Sequence, residues 1–320
     1  MKKKIQLLSA WMTHHLYGFQ CAVSCRSLTK WLVTLVNLTV LSASLDAQIP
    51  TPTQVFAAFA NIGANGVVLW NGVAKYDGAT GAAINANFIT GLPYAISALA
   101  LSGNDLFVAW ATDNTVPGPF TVSEYNATTG ALINANFLTE QVEGLGLDLA
   151  VFGNNIFVAD SLSNTVPEFS ATTGAPVNNN FFTTSGSSYP TELAVSGNNL
   201  FVLSDTTTVN QMGTVNQTFT IGKYNATTGA VINANFITIT GLNNAFGLAV
   251  SGNNLFVVTS ITSASKIDTV SEYNATTGAL MNANFITGLS DPGGIVVSGN
   301  NLLVPTNIYD DAYPPANSRV

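Results

Sequence analysis

The chain has 320 residues, of which 47% are hydrophobic and only 8% charged. That balance excludes charge-rich disorder and leaves the polar surface to Asn, Thr and Ser, which suit strands and turns better than helices. From Gln48 onward four basic residues (Lys75, Lys223, Lys266, Arg319) stand against sixteen acidic ones, a balance near −12 that repels a phosphate backbone and sets nucleic acid aside as a partner.

In chain order, the first element is a leader. Lys2, Lys3 and Lys4 open it, and Arg26 and Lys30 precede an apolar run, Trp-Leu-Val-Thr-Leu-Val-Asn-Leu-Thr-Val-Leu, over 31–41. Small residues follow from Ser42 to Ala47. A basic flank, a short apolar core and a small-residue exit describe a secretory signal over 1–47, with cleavage after Ala47 or Ser44 and an uncleaved anchor as the alternative. A spanning helix needs about twenty apolar residues, so no membrane span is expected in the mature chain, which is placed outside the cell or in its envelope. Cys21 and Cys25 both lie in this leader and form neither a disulfide framework nor a zinc site. Residues 48–54, with Ile49-Pro50-Thr51-Pro52, read as an extended linker.

From residue 55 the chain repeats itself. A phrase close to Tyr-Asn-Ala-Thr-Thr-Gly, followed by Ala-x-Ile/Met-Asn-Ala-Asn-Phe, is anchored at Tyr76, Tyr125, Phe169, Tyr224 and Tyr273, at spacings of 49, 44, 55 and 49. A second phrase, Ser-Gly-Asn-Asn-Leu-Phe-Val, keeps step, with glycines at Gly103, Gly153, Gly197, Gly252 and Gly299. Two markers in step at a long period mean one supersecondary block stacked on its like.

Residues 248–286 show what one block is. Leu248–Val250 is a short apolar strand, Ser251–Asn254 a tight turn, and Leu255–Val258 a returning buried strand. After a variable Ser/Thr-rich loop, Val270–Tyr273 alternates as a strand; Asn274–Gly278 turns, with Asn folding onto the backbone and Gly left-handed; Leu280–Ile286 alternates again. Four short antiparallel strands in 40–50 residues are a propeller blade. Complete units fall near 96–138, 147–182, 192–238 and 247–287. The piece starting at Val55 lacks the opening hairpin, and Ile295–Val304 has only that hairpin. The expectation is an all-β propeller over 55–308 with five four-stranded blades, its ring closed by the N- and C-terminal strands, and a flexible tail over 309–320. The count is six if the N-terminal strands form a blade of their own.

Chemistry is bounded by histidine: His14 and His15 are the only two and both lie in the leader, which excludes a Ser-His-Asp triad and histidine-ligated metals in the body. The recurring aromatics and the Phe of each Asn-Phe are expected to pack between blades. Glu124, Glu168 and Glu272 share one repeat position with Lys75 and Lys223, and mixed signs there read as a solvated strand face with weak ion pairs. Asn126, Asn225 and Asn274 head Asn-x-Ser/Thr sequons but are explained as turn residues. Trp70 and Trp110 are candidates for a carbohydrate or peptide platform.

Gly-Leu-Ala-Val-Ser-Gly-Asn-Asn-Leu-Phe-Val (247–257), with Phe157-Val158-Ala159-Asp160 in another unit, resembles the NHL-repeat family of β-propellers. The Tyr-Asn-Ala-Thr-Thr-Gly phrase is similar to repeats of secreted bacterial propellers; WD40 is a poorer match, since no Trp-Asp dipeptide occurs. The resemblance implies the propeller fold. It also extends to gluconolactonase-type, calcium-dependent lactonases, which hold one metal in the central channel on Glu, Asn and Asp. On that implication the metal candidates are Asp113, Asp160 and Asp205, past the Leu/Ile-Phe-Val strands, with Glu143, Asp148 and Glu192 beside other blade starts. Turn capping is the competing role for these carboxylates. The resulting expectation is a monomeric, secreted, non-catalytic binding or structural module for an unidentified protein or carbohydrate, needing no cofactor. The alternative is a metal-dependent lactonase-like hydrolase using Ca2+ and an Asp/Glu/Asn cluster in the channel.

Overall fold

The computed structural model describes residues 54–62, 68–78, 80–112, 118–138, 142–144, 148–184, 188–209, 215–241, 244–260, 268–289, 292, 294–298 and 301–304. The leader, the linker up to residue 53 and the tail lie outside them. Every regular element among the described residues is a strand, as short apolar runs cut by Asn/Gly turns dictate.

Five antiparallel blades follow one another. The first has three strands, β1 (Gln54–Ile62), β2 (Val68–Asp77) and β3 (Ala83–Leu92). The second runs β4 (Ile96–Ser102), β5 (Asp105–Ala111), β6 (Gly118–Asn126) and β7 (Leu132–Asn134), and β8 (Val142–Gly144) also pairs with β6. The third is β9 (Leu149–Phe152), β10 (Asn155–Val158), β11 (Thr165–Ser170) and β12 (Pro176–Thr183). The fourth is β13 (Ser188–Ser196), β14 (Asn199–Val209), β15 (Val215–Asn225) and β16 (Val231–Thr240). The fifth is β17 (Asn244–Ser251), β18 (Asn254–Ser260), β19 (Asp268–Asn274) and β20 (Leu280–Leu289), after which β21 (Val296–Ser298) and β22 (Asn301–Leu303) form a two-stranded sheet. This is the propeller that the repeats predict.

Register identifies the incomplete sheets. Gln54 faces Asp77 as Asp105 faces Asn126 and Asn254 faces Asn274, so β1 is a second blade strand without a first. The hairpin β21–β22 supplies first and second strands only, as the sequence implies. The two terminal sheets are separate, but they meet: Val55 and Ala57 pack with Val296 and Leu303, and Asn301 Nδ2 donates to the Gly78 carbonyl at 2.9 Å.

The first strands adjoin from blade to blade, and apolar side chains fill the spaces between sheets. Phe107, Ala109 and Val122 of the second blade, for example, pack on Leu149, Ile156 and Val158 of the third. The repeated aromatics lie in these interfaces, as expected. Phe182 of the third blade stacks on Tyr224 of the fourth with centroids 3.9 Å apart.

The repeated phrases prove to be joints. Asn126 Oδ1 accepts the amides of Thr128 and Thr129 at 3.0 and 2.9 Å, and Asn225 and Asn274 do the same in their blades, which is the turn role assigned to these sequon residues. Thr128 Oγ1 donates to Asn104 Oδ1 at 2.6 Å, tying this turn to that of the first hairpin. The closing glycine lies against the blade before it: a Cβ on Gly174 would sit 1.7 Å from the Phe137 carbonyl oxygen, and one on Gly229 2.1 Å from that of Phe181.

The position shared by Glu124, Glu168, Glu272, Lys75 and Lys223 is not a uniformly solvated face, which corrects the sequence expectation. Lys75 and Lys223 are buried, and each reaches into the next blade: Lys75 Nζ donates to the Ala127 carbonyl at 2.8 Å and Lys223 Nζ to that of Ala275 at 3.0 Å. Each ammonium also sits over two rings, Phe56 and Phe88 or Phe201 and Phe236, at 4.9–5.5 Å from the centroids. A long apolar stem with a polar tip can cross the blade interface where a solvated charge was expected. Burial lowers the pKa of both lysines.

Candidate functional site

The residue before each Leu-Ala-Val strand differs from blade to blade. It is Ala98, Asp148, Glu192 and Gly247 in the second to fifth blades and Gly294 before the terminal hairpin. Two adjacent blades therefore start their inner strands with a carboxylate.

Asp148 is buried, and its two oxygens accept different amides. Oδ1 takes the N–H of its own Leu149 at 2.8 Å, and Oδ2 takes that of Leu193 in the next blade at 2.7 Å. Glu192 also reaches one blade on, where it accepts the amide of Gly247. Glu192 is half-buried. Gly247 has φ +88, and a Cβ there would come within 3.0 Å of Gly294, so the fifth blade meets the terminal sheet through two glycines at this level.

Burial pushes the Asp148 carboxyl up to about 7, while its two amide bonds pull the other way. Glu192 is raised well above the ordinary carboxylate range, by burial first and by the charge of Asp148 second, against the Gly247 amide. Two neighbouring carboxyls that resist full ionisation can hold a proton between pH extremes, the property of an acid/base pair. Among the described residues no three His, Cys, Asp or Glu side chains stand close enough to hold a metal.

Of the metal candidates taken from the resemblance, Asp148 and Glu192 form this pair, and Asp160 and Asp205 have other partners. Asp113 is outside the described residues. Asp160 caps the turn that follows β10, accepting the amides of Leu162 and Ser163 at 3.1 Å and the Ser163 hydroxyl. Asp205, on β14, accepts Gln217 Nε2 from β15 at 2.8 Å. The side chain of Glu143 is also outside the described residues. Trp110 is half-buried, packs against the core between the first two blades and donates its Nε1–H to Ser123 Oγ at 3.0 Å; the side chain of Trp70 is not among those described.

No family model matches the chain, and no curated protein sequence matches it. Solved structures do resemble it. A chain of the nidogen/laminin complex is 14% identical, with a TM-score of 0.53, covering 79% of this chain and 85% of that one. A candidate 6-phosphogluconolactonase from Bacteroides fragilis is 11% identical with a TM-score of 0.49, covering 78% and 87%. The WD40 repeats of RRP9 are 10% identical with a TM-score of 0.46, covering 77% and 80%. At these identities the likeness is one of fold, and the fold is that of a β-propeller.

Proposed function

We propose that this chain is a secreted, NHL-like propeller that works as a non-catalytic binding or structural module. The observation that carries the reading is the outer edge of the blades, where bulky apolar side chains stand in solvent at matching places in blade after blade. Repeated exposed apolar groups mark interaction surfaces in soluble proteins. The carboxylates of the inner strands fit the same reading as joints, since Asp148 and Glu192 each accept a backbone amide of the following blade. A chain similar in fold was solved within the nidogen/laminin complex, a precedent for protein recognition by this architecture.

A second reading keeps the metal-dependent, lactonase-like hydrolase, and the Asp148–Glu192 pair is what favours it. One experiment separates the two. The protein is melted across a calcium titration with an EDTA control, and hydrolysis of a panel of aldonolactones is followed by acid release. The binding reading expects melting points unchanged by calcium and lactones that decay at the buffer rate. Turnover that needs calcium and disappears in Glu192→Gln would overturn it.

A further inference from the structure

We propose that the terminal hairpin β21–β22 is the inner half of a sixth blade, to which this chain's own residues 307–310 add as a third strand. The inference concerns how the ring is completed and stands apart from the binding reading. Among the described residues β22 pairs only with β21, whereas the second strand of each of the second to fifth blades has a third beside it. An open strand edge offers a row of backbone groups that another strand can take up.

The hairpin already lies where a blade belongs. Ile295, Leu302 and Val304 pack with Val258, Val270 and Ile286 of the fifth blade, while Val296 and Leu303 pack with Val55 and Ala57 of the first. In the complete blades the third-strand aromatic packs on the outer strand of the blade before: Tyr125 with Phe88 and Ile89, Tyr224 with Phe182, Tyr273 with Ile237. The fifth blade presents the same wall in Phe285 and Ile286, and among the described residues no aromatic of a following unit meets it. On the far side, Tyr76 is half-buried where Tyr125, Tyr224 and Tyr273 are buried, so the unit before the first blade is short of outer strands.

The repeat phrase and the blade register select the occupant. Beyond Val304 the chain reads Pro305-Thr306-Asn307-Ile308-Tyr309-Asp310-Asp311-Ala312, and its last five residues match Lys75-Tyr76-Asp77-Gly78-Ala79 of the first blade at Tyr, Asp and Ala. Tyr309 is thus a sixth anchor. Elsewhere the anchor faces the residue after the first of the second strand, as Phe169 faces Ile156 and Tyr273 faces Leu255. The same register sets Tyr309 against Leu302, Ile308 against Leu303 and Asn307 against Val304. Pro305-Thr306 is then the turn, with proline at the second position that tight turns favour. Side chains that pair across a sheet share a face, so Tyr309 joins Leu302 towards Phe285 and Ile286. Ile308 joins Leu303 towards the first blade, at the repeat position of Lys75 and Lys223. Those lysines each donate to a turn carbonyl of the next blade, Ala127 or Ala275. The equivalent carbonyl here is that of Gly78, which already takes Asn301 Nδ2 at 2.9 Å. An apolar residue in the lysine's place therefore strands no acceptor and suits the wall of Val55, Ala57 and Tyr76.

The test is amide hydrogen exchange on the full chain, read by mass spectrometry against a free peptide of residues 305–313. The amides of 307–310 should exchange on the order of a hundredfold more slowly in the protein, as strand amides do when they open only with their unit. Tyr309→Asp, which sets a charge against Phe285 and Ile286, should abolish that protection and speed exchange over 302–304. The second to fourth blades should keep their protection in the variant, which shows that it is folded. Exchange of 307–310 at the peptide's rate in the wild type overturns the proposal, and is what a strand supplied by another protein would give. Protection that Tyr309→Asp leaves unchanged overturns it as well. So does protection that disappears on dilution, since the strand would then come from a second copy.

Discussion

The two ends of each blade are joined to their neighbours by different chemistry. At the turn end the joint is uniform and uncharged along most of the chain: Asn folds the turn, Thr ties it to the first hairpin, and Gly leaves room for the carbonyl of the blade before. At the start of the inner strands the joint changes from blade to blade, from alanine to carboxylates to glycines. Uniform joints make the blades interchangeable and set the ring geometry. The variable joints are what distinguish one blade from another, and they are where titratable groups are buried. A site, if the propeller holds one, belongs with the second kind.

The comparison is broken most severely at the turn end. In Gly174→Ala the new Cβ would overlap the Phe137 carbonyl oxygen, and φ is +68 besides. Left-handed backbone and overpacking together should cost about 3 kcal/mol or more, read by urea denaturation. Gly153→Ala is the control: its φ is +60, but nothing lies within 4 Å of the added carbon. It should cost about 1 kcal/mol, the backbone contribution alone. Equal losses would mean that the turn glycine serves conformation and not the fit between blades.

Lys223→Met gives the next largest effect. The methionine keeps most of the stem over Phe201 and Phe236 but strands the Ala275 carbonyl, which now takes the Nζ donor at 3.0 Å. A loss of about 2 kcal/mol is expected for a buried acceptor left without its charged partner. A neutral result would assign the lysine to stem packing only.

These joints were legible in unequal measure. The turns could be read because Asn and Gly each have one strong local reason to stand there, and because two phrases keep the same step. The lysines could not, since periodicity marks equivalent positions but says nothing of what surrounds them. Glu124 and Lys75 share a place in the repeat, yet Lys75 is buried and spans an interface. The outer strands misled in another way. Their alternation promises one buried face, but the first five residues of β16 are all exposed although Val231 and Asn233 still pair with Tyr224 and Lys223, so Val231 and Ile232 both face solvent. Among the carboxylates, Asp113, Asp160 and Asp205 drew notice by following a strand motif. Asp148 and Glu192 stand at one repeat position in adjacent blades, a relation that emerges only when the residues before each Leu-Ala-Val strand are aligned.

The smallest effect is the most informative about the inner joint. Both carboxyls have folded-state pKa values above the ordinary ones, so between about pH 4 and 7 the folded chain binds more protons than the unfolded chain. Their contribution is therefore most favourable in acid and is lost as pH rises through that window. Glu192→Gln keeps an acceptor for the Gly247 amide and removes the second buried charge. The variant should match the wild type at pH 4 and exceed its stability by about 1 kcal/mol at pH 8, measured by thermal melting in EDTA. If the variant is instead the weaker of the two at pH 8 in EDTA, the Gly247 amide is held better by a carboxylate than by an amide oxygen. A wild-type advantage that appears only when calcium is added would instead make Glu192 a ligand of the cation.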